Sequence, residues 1–472
     1  MKKLFLSLFF ALSVLISVSC DSESKHIYPP ENVVNRVTDF YLFNDGRTFL
    51  YLSSNMNRKY DFGELVLMQF DDEGDPLFQD SLLVPSISGK MKVNADESAV
   101  FITTRDKNGV VKAKISGKSG SYKIQYEEGT KGDYPEILKT KKEPYALTLN
   151  PDESKLLVTH ILNGELSVID TESWKVIKTS KLKYGVTEIL YDENSGYYFT
   201  SHKSSGNISL IEAVETIDND VVVTVKEIPI ELPTKGYDVR SMKKSGDGTL
   251  FYAAFQNTDY ENSYTYDYDE DTAPQLVTLK LTEDKSFEIV NTLALGGNLG
   301  EIAVFTYNTG TEESEETGDD AETNDAEETD DSEKTDDAEE ADDSDITDDT
   351  EKTDDSDISG KAETTGESAG DDGKTSEESE EASTGGRSGD LIFVSVPKDE
   401  KIIMIDSARN GIRDEISYRD DKKDCKPYQL YAKNLGNTNG YLFVSCFQND
   451  RVYIYEIDLM AEQIIKKIGV LE

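Results

Sequence analysis

Tryptophan, histidine and cysteine are almost missing from this chain, at 1, 3 and 3 of 472 residues. No CxxC pair, glycine-rich phosphate loop or nucleophile motif occurs. Nothing therefore singles out a reaction, and the sequence predicts a non-enzymatic protein with no catalytic residue, metal or cofactor. Basic residues are also scarce, 49 against 94 acidic ones, for a formal net charge of −45. Such a chain repels phosphate backbones and anionic membrane surfaces, which excludes nucleic acid as a partner. Past residue 18 no apolar run is long enough to span a bilayer.

What is present begins with an export signal. Lys2 and Lys3 precede an apolar run over residues 4–18 that ends in small residues. Two cleavage routes fit. Ile16-Ser17-Val18-Ser19-Cys20 has the form of a lipobox, with Ser17 where leucine is usual, and Ser17-Val18-Ser19 also fits an ordinary small-x-small site. The cysteine count favours the first. Lipidation of Cys20 leaves Cys425 and Cys446 to pair, and these flank the first two strands of the last repeat, nearly opposite each other. The expected organisation is a signal peptide (1–19), a lipidated tether (20–31) containing Pro29-Pro30, and a body from residue 32.

The body repeats itself. Residues 144–179 read at period two as four short strands with polar breaks at Asn150-Pro151-Asp152-Glu153 and Asn163-Gly164. LLVTH at 156–160 is echoed by FLYLSS (49–54), VFITT (100–104), YYFTSH (197–202), LFYAAF (250–255), LIFVSV (391–396) and YLFVSC (441–446). Each is followed by an echo of ELSVID (165–170), as in KIIMID (401–406) and RVYIYEI (451–457). A four-stranded meander cannot bury both faces alone, so the copies must stack. Seven copies at about 40 to 60 residues each predict an all-β fold, a single seven-bladed propeller of four-stranded antiparallel blades.

PYALTLNPDESKLLVTHILNGELSVIDT resembles the YVTN-type β-propeller repeat, whose core reads P-x6-P-D-G-x-x-L-Y-V-T-N followed by V-x-V-I-D. Residues 426–458 are a second good match, and the other five copies are degenerate. The WD40 form of repeat fits less well, because Trp174 stands alone and no Gly-His…Trp-Asp pattern recurs. The resemblance implies a scaffold put to many uses, so it specifies fold far better than function.

Blade six is interrupted. Residues 311–389 carry 34 acidic and 5 basic residues in near-perfect hexads such as TDDSEK and TDDAEE, so they hold most of the net charge. With almost no apolar residues to offset the entropy of ordering, the segment is expected to be a disordered insertion dividing the propeller into 32–310 and 390–472. It reads either as a cation-buffering or partner-binding brush or as a solvated spacer, and the hexads lack the glycine and terminal glutamate of an EF-hand loop.

Candidate ligand-face residues come from the propeller loops. His160 and His202 end second strands in adjacent blades, where two imidazoles could meet, or else serve as ordinary hydrogen-bonded histidines. Arg105, Phe255 and Cys446 are read as their counterparts elsewhere. Tyr264 and Tyr266 stand in the loop YENSYTYDYDED, a recognition patch or a polar loop. Glu188, Asp238 and Glu301 sit at the starts of first strands near the channel mouth, as an acid–base group or a solvated rim. Together these predict an exported, membrane-anchored monomer that binds a protein or envelope component. A lactonase-like hydrolase using the loop face of blades three and four is the alternative.

Overall fold

The computed structural model describes residues 26–126, 136–203, 205–217, 220–230, 237–257, 273–310, 388–419 and 425–472. Cys20, Tyr264, Tyr266, the export signal and nearly all of the acidic insertion lie outside the described residues.

The described chain is a seven-bladed β-propeller, each blade containing four consecutive strands paired in sequence order. The first strands are Val37–Leu42, Ser88–Val93, Pro144–Leu149, Val186–Asp192, Tyr237–Lys244, Ile302–Asn308 and Pro427–Asn434. The fourth strands are Pro76–Pro85, Lys123–Gln125, Lys175–Lys181, Asp220–Pro229, Phe287–Ala294, Gly411–Ser417 and Ile465–Leu471. In blade two a further short strand, Leu138–Lys139, also pairs with the third. Blade six spans the insertion directly, with Asn308 paired to Ser388.

Stacking explains the burial. Every residue of Thr48–Ser53 and Ala99–Thr104 is buried, because these second strands are covered by a neighbouring blade on each face. Phe287–Ala294 on the rim alternates between half-buried and exposed. The turns between first and second strands share one device. Asn150 Oδ1 accepts the Lys155 N–H at 2.7 Å, Asn94 Oδ1 accepts that of Ala99 at 2.8 Å, and Ser245 Oγ accepts that of Leu250 at 2.9 Å. Asp152, Asp96 and Asp247 cap the residue two further on. The residue between is left-handed, Glu153 and Glu97 at φ 58° and Gly248 at φ 72°, so the degenerate sequences keep the Asn-Pro-Asp turn of blade three.

Among the described residues no strand is shared between blades one and seven, so side-chain contacts close the ring. The seam is aromatic: Phe443 lies 5.6 Å from Phe40 and 5.1 Å from Phe49, and Tyr441 lies 4.8 Å from Phe70. The Leu42 N–H donates to Tyr431 Oη at 3.3 Å, and Arg36 packs on Phe447 while pairing with Asp450 at 3.4 Å. The end of the expected tether is also attached. Ile27 exchanges hydrogen bonds with Asp61, and Tyr28 stacks on Phe62 at 5.3 Å.

Candidate functional site

The two histidines are built into the blades rather than onto the face. His160 is fully buried, with Nδ1 against the Lys142 carbonyl at 3.2 Å and Nε2 against Ser167 Oγ at 2.9 Å. His202 repeats this with the Tyr184 carbonyl at 3.3 Å and Ser209 Oγ at 2.6 Å. Each ring ties the end of its second strand to the third strand and to the preceding inter-blade loop. Burial pushes His160 down to about 4 and lowers His202 as well, so both are neutral struts near pH 7. Thr104, not Arg105, is their register counterpart, since it faces Ser88 as His160 faces Pro144. Arg105 lies one residue farther on and pairs with Glu143 at 2.7 Å, its guanidinium 5.5 Å from the Tyr145 ring centre. Phe255 and Cys446 are fully buried or nearly so at the positions expected, and a disulfide joins Cys446 to Cys425 with Cα atoms 5.0 Å apart.

The first strands line a central channel, and a repeated irregularity arranges its side chains. Six of the seven first-to-second strand pairings shift register near their start, between Val37 and Asp39, Ser88 and Met91, Pro144 and Leu147, Val186 and Glu188, Val239 and Ser241, and Pro427 and Leu430. Bulges of this kind re-aim a side chain. They place Tyr145, Thr187, Arg240 and Tyr428 on one row nearest the loop face. The next row holds Asp39, Lys90, Glu188, Ser241, Glu301 and Gln429. A hydroxyl on the second strand fixes that row: the N–H groups of Lys90, Ala146, Glu301 and Gln429 donate to Thr103, Thr159, Ser395 and Ser445 at 2.8 to 3.3 Å.

Below the bulges lies a cavity of about 460 Å³ lined by Asp39, Lys90, Glu188, Lys243 and Gln429 among others. Its charges are matched. Lys243 pairs with Glu188, and Lys90 bonds Gln429 and lies 3.8 Å from Glu301. Ser241 Oγ reaches both Glu188 and Glu301 at 3.2 Å. Asp39 and Glu188 also accept the N–H of Met91 and Met242 from the following blade, both at 2.8 Å, which welds neighbours together. Burial pushes Glu301 up, but Lys90, Lys243 and Arg240 outweigh it and hold the carboxyl below its ordinary value. Burial wins at Asp39, which is raised, and at Lys243, which is pushed down to about 8.

The loop-face end differs. Tyr145 and Tyr428 stand side by side, and burial together with the neighbouring Tyr428 raises the Tyr145 phenol well above its ordinary value. Arg240 stands beside them with Glu301 and Asp238 near, and these neighbours outweigh burial to raise its pKa. Asp238 is 5 % exposed, and burial pushes it up to about 7 against the pull of Arg240 and Lys203. Arg240 and burial together hold Lys203 below its ordinary value. Of the three predicted carboxylates, Glu188 and Glu301 thus share one row, while Asp238 sits three positions nearer the face. Lys90, Arg240, Lys243 and Lys203 were not foreseen. The Thr or Ser before the last residue of VFITT, LLVTH and YLFVSC marks the row they help build. Among the described residues no group of three or more His, Cys, Asp or Glu side chains could hold a metal ion.

No family model and no curated protein sequence matches the chain. Among solved structures, hydrazine synthase from Kuenenia stuttgartiensis aligns with a TM-score of 0.53 at 8% identity, over 92% of this chain and 97% of its own. That likeness concerns the fold alone. The periplasmic gluconolactonase of Pseudomonas aeruginosa aligns at a TM-score of 0.49 and 12% identity, covering 90% of this chain and 96% of its own. Virginiamycin B lyase of Staphylococcus aureus aligns at 0.45 and 10%, covering 90% and 95%.

Proposed function

We propose that the protein is an exported lipoprotein, anchored through Cys20, whose YVTN-like propeller binds a protein or ligand of the cell envelope at its loop face. One observation carries the choice of face. Buried side-chain polar atoms without a hydrogen-bond partner, among the described residues, gather at this end of the ring: Asn35, Glu64, Arg105, Asp238, Gln275 and Asp399 each carry one. Burying such a group unmet costs about 1–3 kcal/mol, so a cluster of them on one face favours an external partner. None lies at the opposite end among the described residues.

The Cys425–Cys446 disulfide suits an oxidising compartment, and it leaves Cys20 as the cysteine available for lipid. Both rings of His160 and His202, the histidines offered for a hydrolase, are hydrogen-bonded inside the blades, which favours the binding reading. Palmitate labelling tests the anchor: wild type should incorporate label into the membrane fraction and Cys20→Ala should not. Pull-down from envelope extract tests the binding, with capture expected from wild type and reduced by charge reversal at Lys203. Label on the Cys20→Ala protein, or capture indifferent to the loop face, would contradict the reading.

A further inference from the structure

At the loop-face end of the channel stands a guanidinium with no acceptor. Arg240 projects from the bulge of blade five, and among the described residues its side chain makes no hydrogen bond or ion pair, although its five N–H donors are fixed in a planar fork. Asp238, two residues earlier, is 5 % exposed with Oδ1 unpartnered. Lys203 occupies in blade four the place Arg105 holds in blade two, each donating its backbone N–H to the residue eighteen earlier. Cations thus converge here in a chain of net charge −45, and like charges brought together this way repel.

The local charges also set the valence of what would fit. Glu143 neutralises Arg105 at 2.7 Å, and Lys90 lies against Glu301 at 3.8 Å. Arg240 and Lys203 remain, opposed only by Asp238, which burial pushes up to about 7, so near neutral pH this end carries a small positive surplus. A singly charged anion fits that surplus better than a dianion. A planar, two-oxygen anion also suits the guanidinium fork, which binds carboxylates through two parallel N–H···O bonds.

We propose that the loop-face end of the channel is a receptor for a small monocarboxylate, gripped by Arg240 and closed over by Lys203. Tyr145 and Tyr428 form its floor, separating it from the charge-matched cavity below. The assignment rests on the binding reading above and adds the chemistry of the ligand.

Saturation-transfer NMR on the full-length protein in low-chloride buffer tests it, with sodium lactate, uncharged lactamide and inorganic phosphate as probes. Lactate should give a saturable signal. Lactamide should give none, and phosphate should bind about tenfold more weakly or worse. Arg240→Met should weaken lactate about tenfold or more in a protein that circular dichroism shows to be folded. Arg240→Lys, which keeps the charge without the fork, should fall between wild type and Arg240→Met. No saturable lactate signal, equal affinity in Arg240→Met, or phosphate or lactamide binding as tightly as lactate overturns the proposal. If lactate fails while envelope partners are still captured, only the carboxylate assignment falls. If lactate binds while capture fails, only the envelope-partner reading falls.

Discussion

Truncating Phe443 to alanine should loosen the propeller at one place. Phe443 is 1 % exposed in blade seven and meets Phe40 and Phe49 of blade one at ring-centre distances of 5.6 and 5.1 Å. It belongs to a core cluster that mixes Val37, Phe40 and Tyr51 with Val452 and Ile454, so the cavity opens in the seam itself. Buried Phe→Ala changes cost about 3–5 kcal/mol, of which the pairs with Phe40 and Phe49 at about 0.5–1.5 each supply about 1–3. The cost should appear as a lower urea midpoint at unchanged slope. Phe199→Ala is the control: it is fully buried and pairs with Phe251 at 5.1 Å across blades four and five, which are joined by the chain. Both variants should lose similar stability. Only Phe443→Ala should speed hydrogen exchange jointly in Val37–Leu42 and Asn439–Cys446, the first and last blades. A loss below about 1 kcal/mol, against that expectation, or exchange rising evenly around the ring, would refute packing as the closure.

Three further outcomes can be checked. His160 titrates near 4 in the fold against about 6.5 unfolded, so the unfolded chain binds the extra proton and stability falls as pH drops from 6.5 towards 4. Its share is about 3 kcal/mol, and His160→Asn should flatten that part of a stability-versus-pH curve; an unchanged slope would contradict the buried neutral ring. Replacing Cys425 and Cys446 by serine opens a loop of sequence separation 21, which by chain entropy costs about 3 kcal/mol in denaturant midpoint. Deleting residues 311–387 should leave Tm unchanged or raise stability by up to about 3 kcal/mol, because Asn308 and Ser388 already pair and a shorter loop costs less to close. A clear fall in Tm would show that the segment packs.

The sequence exposes the ring more readily than the site, for a physical reason. Second-strand echoes such as VFITT, LLVTH and YLFVSC fall inside Ala99–Thr104, Lys155–His160 and Asn439–Cys446, because strands buried on both faces must be apolar throughout. Third-strand echoes such as KIIMID coincide with Lys401–Asp406 for the same reason. The channel obeys a different rule. A bulge inserts one residue at the start of six first strands, and one residue decides which way a side chain points. Asp238 and Arg240 therefore work together across a break in period two, and Arg105 reads as a counterpart of His160 until the pairing shows Thr104 there. The partners of Glu188 and Glu301 come from other blades, at sequence distances no local pattern reports.

Site-specific photo-crosslinking in living cells tests the central claim most directly, which is that this ring works through its loop face. A crosslinking residue at position 203, exposed beside Arg240, should trap an envelope partner, whereas one at position 152, exposed in a turn on the opposite face, should trap none. Crosslinks from position 152 alone, or equally from both, would contradict the account.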